Sequence, residues 1–322
     1  MRVVTVLEEN HPLMRELAGA GCATVHLGPT ELPPSGGEPY FYIGDVFRQI
    51  KTPLHLSRIR RVLAERHAPY VNWNRDAPWN CAIKPWRRFF VRVSKPADIQ
   101  LAHSLQSVDL FGPPVVYFPN AADTDHYNLG GRTLASLRDA TAYRFDVSFV
   151  GTLNPGFRMV RARLEFLAEL SRRLEQTGVT CRFFDTSPGS AIGVKDQVEI
   201  IQSSRINLSI GAVCDKPSVS WGLPERCFGI AACGGFLLCD ERKHLAETFP
   251  EQTWAECRDV EGCLERIKFF VAHFDLSRDM AERLHRDVMQ RHTYVVRAQE
   301  LLNLVTQWKR NNSMQSVHAG AG

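Results

Sequence analysis

Twice along the chain, short β-branched apolar runs alternate with helical stripes across brief connections, and that alternation allows little but parallel sheets. The first instance opens the sequence. Arg2 to Leu7 reads as a strand, Glu8-Glu9-Asn10-His11 as a polar loop, and Pro12 stands where the first residue of a helix belongs. Leu13, Met14, Leu17 and Ala18 make one helical stripe, Gly19-Ala20-Gly21 ends it, and Cys22 to His26 is the next strand. Tyr40 to Ile43, Tyr70 to Trp73 and Pro114 to Phe118 continue the apolar pieces, with a helical pattern at Ser57 to Arg66.

The second instance follows turn formers at Pro119-Asn120-Ala121-Ala122-Asp123 and a polar stretch, Asn128 to Asp139. Asp146 to Gly151 reads as a strand entering a glycine loop, and Val160, Leu164, Leu167, Leu170 and Leu174 mark a long amphipathic helix. Thr180 to Phe184, Arg205 to Ile210 and Gly235 to Leu238 are the strands after it; from about Val260 to Lys309 the pattern is helical. No internal repeat interrupts the picture. The length, 322 residues, suits two α/β halves of about 150 each, with the boundary expected between Asn120 and Tyr143.

Composition removes several classes. Hydrophobic residues at 44% and charged residues at 23% fit an ordinary globular chain, not a disordered or collagen-like one. The longest weakly polar stretch, Gly229 to Cys239, falls short of the ~20 apolar residues of a membrane span. Glu8-Glu9 interrupts the first apolar run before a signal peptide could form, so the expected location is cytoplasmic. Nine cysteines, none in a CxxC pair, read as buried thiols rather than a zinc or disulfide framework.

The second half holds the residues that suit anion chemistry. Gly151-Thr152-Leu153-Asn154-Pro155-Gly156-Phe157-Arg158 places amides and a cation at the carboxyl end of a parallel strand, where ligands bind. Arg158 reads either as a diphosphate contact or as a surface residue on the next helix. Gly211 follows a later strand in the same way. Pro224 suits a helix start, so Glu225 and Arg226 fall in a first turn, where the helix dipole favours an anion. The candidate anion-binding set is therefore Gly151, Thr152, Asn154, Arg158, Gly211, Pro224, Glu225 and Arg226.

The run Arg226-x-Phe228-x-x-x-x-Cys233-Gly234-Gly235-Phe236-Leu237-Leu238 resembles the signature of CgeB-like glycosyltransferases, a branch of the GT-B enzymes. His292-Thr293-Tyr294 with Arg297 and Leu301-Leu302 is similar to that family's last helix. Pro119 to Tyr127 resembles its interdomain segment, and Phe149-Val150-Gly151 its nucleotide-sugar strand. The resemblance implies a GT-B fold, α/β, of two facing Rossmann-like domains with a C-terminal helix crossing back to the first. On that reading residues 1–125 take the acceptor, 126–290 the nucleotide-diphosphate sugar, 291–310 form the crossing helix and 311–322 a flexible tail. The implied activity is a glycosyltransferase, hexosyl or related, with no metal and no cofactor beyond the nucleotide-sugar co-substrate. One departure stands out: Gly229 occupies the position where such families carry a Glu expected to hold the donor ribose. Glu225, one turn earlier, either takes over those hydroxyls or complements the helix dipole.

Asp123-Thr124-Asp125 has the spacing of a metal motif in the other glycosyltransferase fold, but it lies within the linker resemblance, where an Asp turns the chain. The catalytic candidates lie in the first half. His11 precedes Pro12 after the first strand, and a neutral imidazole can take a proton from an acceptor hydroxyl. Asp76, inside Trp73-Asn74-Arg75-Asp76-Ala77-Pro78-Trp79, is either a base or part of a turn packed by aromatics. Arg58, Arg60, Arg61 and Arg66, with Trp86-Arg87-Arg88-Phe89-Phe90-Val91-Arg92, form either a solvated face or a contact for an acceptor. That acceptor would be a phosphate-bearing glycan, a lipid or a nucleic acid. The rival to an enzyme is a non-catalytic nucleotide- or nucleic-acid-binding protein on the same scaffold.

Overall fold

The structure, a computed structural model, describes residues 1–74, 85–105, 115–156, 160–189, 192–211 and 222–319. The chain divides into two compact units, Met1–Pro119 with Tyr294–Gly322, and Asn120–Thr293.

In the first unit six described strands form one sheet: β1 (Arg2–Thr5), β2 (Ala23–His26), β3 (Tyr40–Gly44), β4 (Tyr70–Asn74), β5 (Ile99–Ala102) and β6 (Val115–Tyr117). Their order is β2-β1-β3-β4-β5-β6, and every pair is parallel. All five residues of β3 are buried, as expected of a strand covered on both faces. Helix α1 (Pro12–Gly19) begins on the expected proline and buries Leu13, Met14 and Leu17, the stripe read from the sequence. Helices α2 (Val46–Gln49), α3 (Pro53–Glu65) and α4 (Pro85–Ser94) follow the next strands. The C-terminal helix, Tyr294–Ala319, packs on α1 and buries Tyr294, Ala298, Leu301 and Val305 at helical spacing. Buried Arg297 ties it to the end of β6, its Nε donating to the Pro119 carbonyl at 3.0 Å.

The second unit carries five described strands: β7 (Phe145–Gly151), β8 (Cys181–Asp185), β9 (Ser204–Ser209), β10 (Leu237–Asp240) and β11 (Ala255–Cys257). They are ordered β11-β10-β9-β7-β8 and again all parallel. Helices α5 (Arg161–Glu175), α6 (Val194–Gln202), α7 (Glu225–Ala232), α8 (Leu245–Thr248), α9 (Val260–Ala272) and α10 (Phe274–Arg291) complete it. The Cys-Gly-Gly of the signature has a steric cause. Gly234 sits at φ +72° just past α7, and a Cβ there would meet Leu137 at 2.7 Å. A Cβ on Gly235 would lie 2.8 Å from Asn207 Nδ2 and from Ile201 Cγ2. Arg278 on α10, fully buried, caps the turn by donating from Nη2 to the Gly234 carbonyl at 2.6 Å.

In both sheets the first strand lies between the second and the third. Chain connections leave it in opposite directions there, which opens a crevice at the carboxyl ends of the strands. Strands β5 and β11 and helix α4 were not distinguished in the sequence.

Candidate functional site

In the second unit the crevice between β7 and β9 is a cavity of about 280 Å³. The ends of those strands and the start of α7 line it, with Tyr127, Thr186, Gln197 and Ile201 from elsewhere. Pro224, Glu225 and Arg226 all face it, so the helix start expected from Pro224 lies at the cavity.

Arg226 is its chemical centre. Strand β7 ends on Gly151, and the space a Cβ would fill there is taken by Arg226 Nη2. The guanidinium carbon lies 4.4 Å from the centroid of the Phe149 ring, a cation–π contact. Nη1 is buried without a hydrogen-bond partner, and among the described residues the side chain makes no hydrogen bond and no ion pair. Burial lowers its pKa to about 9, and Arg163 pushes in the same direction. A desolvated cation is stabilised by any anion brought beside it.

Arg163 and Arg242 surround it but are already engaged. Arg163 lies 5.3 Å from the same Phe149 ring, donates from Nε to the Ile210 carbonyl at 2.9 Å and from Nη1 to the Thr152 carbonyl at 2.8 Å. It thus stitches the chain leaving β7 to the chain leaving β9. Arg242 pairs with Asp240 at 2.6 Å and donates from Nη1 to the Gly222 carbonyl at 2.7 Å. The other oxygen of Asp240 accepts the Gly211 amide at 3.0 Å.

The loop after β7 is held as firmly. Asp185 Oδ1 accepts from the Ser187 hydroxyl at 2.6 Å and the Leu153 amide at 2.8 Å, which keeps this carboxyl below the usual range. Asn154 folds the next turn by accepting the Gly156 amide at 2.8 Å.

Gly229 explains its own departure from the expected Glu. A Cβ there would lie 3.3 Å from the Tyr127 ring, so this aromatic occupies the space over α7. The Tyr127 hydroxyl donates to Gln197 Oε1 at 2.7 Å, and burial raises its pKa to about 12. The phenol is neutral at any ordinary pH.

The structure brings Gly151, Pro224, Glu225 and Arg226 to one cavity. The Thr152 carbonyl, the Asn154 carboxamide and the Gly211 amide are used within the protein, and Arg158 lies outside the described residues. Asp76 also lies outside them. His11 is in the first unit, 6% exposed, as the N-cap of α1. Its Nδ1 accepts the Leu13 amide at 3.2 Å, and its ring meets Trp73 and Tyr294 edge-on at 5.2 and 5.6 Å. Asp123 turns the chain: its carbonyl accepts the His126 and Tyr127 amides, and its carboxylate meets His126 Nδ1 at 2.6 Å. Among the described residues no three His, Cys, Asp or Glu side chains gather where they could hold a metal ion. Of the basic cluster, Arg60 is paired with Asp98 and Arg66 donates to the Gly37 carbonyl, while Arg58 and Arg61 are exposed.

Sequence reasoning missed Arg163, Arg242, Tyr127 and Gln197. Arg163 had a signal: with Val160, Leu167, Leu170 and Leu174 it lies on the buried stripe of its helix, where an arginine needs a reason.

Residues 158–303 match a family model described as glycosyl transferase-like. The sequence matches no curated protein. Among solved structures, HepE of Anabaena in complex with UDP and glucose aligns with a TM-score of 0.59 at 10% identity, over 95% of this chain and 100% of that one. Sucrose-phosphate synthase from Thermosynechococcus elongatus gives 0.60 at 10% identity, over 95% and 98%. A glycosyltransferase from Rickettsia africae gives 0.55 at 9%, over 96% and 99%. The chain therefore has the GT-B fold, and carries a glycosyl transferase-like region over residues 158–303.

Proposed function

We propose that the protein transfers a sugar from a nucleoside-diphosphate sugar, with the donor held in the cavity of the second unit. The observation that carries this is Arg226, a partly buried guanidinium with no hydrogen bond or ion pair among the described residues, at the first turn of α7. A diphosphate would supply the missing charge. Arg163 and Arg242, their hydrogen bonds spent on the backbone and on Asp240, contribute field rather than contact. The amides at the start of α7 add the positive end of the helix dipole. Such preorganised charge stabilises the departing diphosphate without a metal, by a few kcal/mol per donor. HepE, solved with UDP-glucose, makes UDP the first nucleotide to try. Thr152, Asn154, Arg158 and Gly211 remain proposed donor-site residues, the first, second and fourth as parts of the frame.

If the anomeric centre inverts, a base must activate the acceptor. His11 and Asp76 are the two proposed residues, and the cap favours Asp76. With Nδ1 accepting the Leu13 amide, neutral His11 carries its proton on Nε2 and offers no lone pair there. If the reaction retains configuration, the leaving phosphate can take the proton and neither is needed. The acceptor classes stay those suited to a basic surface: a phosphate-bearing glycan, a lipid or a nucleic acid. A cytoplasmic site of action is proposed with them; among the described residues no helix is long and apolar enough to cross a membrane.

The test is a panel of nucleotide sugars, scored for thermal stabilisation and slow donor hydrolysis. One donor should stand out, unaffected by EDTA, with release of its nucleoside diphosphate. Equal, salt-sensitive binding of every polyanion without turnover would instead indicate a non-catalytic nucleotide- or nucleic-acid-binding protein.

A further inference from the structure

We propose that helix α4 docks the protein onto an anionic lipid surface. The helix wears its apolar stripe outward. Trp86, Phe89, Phe90 and Val93 are 54, 68, 36 and 64% exposed, and they follow one another at i, i+3, i+4 and i+7. At about 100° per residue these four share an arc of roughly 100°. Val91, 1% exposed, lies about 150° from the middle of that arc, on the opposite side. The helix is thus seated by a small aliphatic residue, while Phe89 and Val93 on the other side are the most exposed.

Charge selects the occupant. Between Pro85 and Lys95 the sequence holds Arg87, Arg88, Arg92 and Lys95 and no acidic residue, and Arg92 and Lys95 are exposed. A cationic helix with an uninterrupted apolar stripe lies in a headgroup layer, stripe inward and charges among the phosphates. Single-stranded nucleic acid would use the charges and stack on rings, but gains little from a stripe that includes Val93. Ten residues span about 15 Å, so the helix rests on the surface rather than crossing it.

The test uses the full chain and sedimentation with vesicles of phosphatidylcholine alone or mixed equally with phosphatidylglycerol. Wild type should sediment with the mixed vesicles and remain in solution with the neutral ones. Phe89→Ser with Val93→Ser should weaken this at least tenfold. Arg92→Gln with Lys95→Gln should weaken it about fivefold per charge. Melting temperatures near wild type exclude misfolding, which is expected because all four side chains are exposed. The proposal is overturned if wild type ignores the anionic vesicles. It is equally overturned if the apolar pair can be replaced without loss, or if oligodeoxythymidine binds tightly and the apolar variant binds it as well as wild type.

Discussion

The two sheets share one topology yet treat the crevice it creates in opposite ways. In the first unit the polar side chains at the described strand ends are spent on the protein's own backbone and on one another. His11 caps α1 and Asp45 caps α2, while Asn72 accepts the Val46 amide at 2.7 Å and donates to Gln100 at 2.8 Å. Gln49 joins Tyr42 and Tyr70, both buried. Among the described residues the buried donors left over near these ends include the neutral Trp73 Nε1 and Gln100 Nε2; the one guanidinium among them, Arg15, donates from Nη1 to the Asn10 carbonyl at 3.4 Å. In the second unit the corresponding place holds a guanidinium without a hydrogen bond among the described residues. A stranded neutral donor costs about 1–3 kcal/mol, and a desolvated charge costs more. Topology makes a crevice in each sheet; the side chains set the charge that each one presents.

The largest expected effect tests whether the first crevice is chemically inert at His11. In a donor-turnover assay with saturating donor, Asp76→Asn should lower the rate about 10²–10⁴-fold. His11→Asn, which keeps a capping acceptor, should stay near wild type, and His11→Ala should cost about 1 kcal/mol of stability. A rate collapse in His11→Asn with unchanged melting would return proton transfer to that ring.

Next in size is the charge itself. Arg226→Met should weaken UDP binding about 10–100-fold by calorimetry, the worth of a charge-assisted hydrogen bond. Without ligand the same variant should melt at or above the wild-type temperature, because an uncompensated cation has gone. Intact binding, or a large fall in ligand-free stability, would make Arg226 part of the frame, as Arg163 is.

The smallest effect concerns Gly229. Gly229→Ala should be destabilising, because the added methyl meets Tyr127 at 3.3 Å. In a Tyr127→Ala background it should instead stabilise by about 0.5–1 kcal/mol, the helix preference for alanine. An unchanged sign would remove Tyr127 as the reason for the glycine.

Much of the fold was legible because the signals were local. Pro12, the stripe of α1, the strand ending on Gly151 and the Pro224 helix start each follow from a few neighbouring residues. Strands β5 and β11, Ile-Gln-Leu-Ala and Ala-Glu-Cys, were missed because they lack the β-branched or aromatic runs that mark equally short β1 and β6. Helix α4 was missed because its apolar stripe sits among arginines and reads as a charge cluster. The site was legible only where it coincides with element ends. Arg242 meets Gly222 and Gly211 through the fold, and Tyr127 answers Gly229 across a hundred residues; no window of sequence joins those pairs.

The Asp240–Arg242 pair has one more consequence. Gly211 and Gly222 both hang from it, one by its amide and the other by its carbonyl, so the residue after β9 and the approach to α7 share a single fixed post. Removing the pair would release both ends at once, so Asp240→Ala should loosen the end of β9 and the approach to α7 together rather than either one alone.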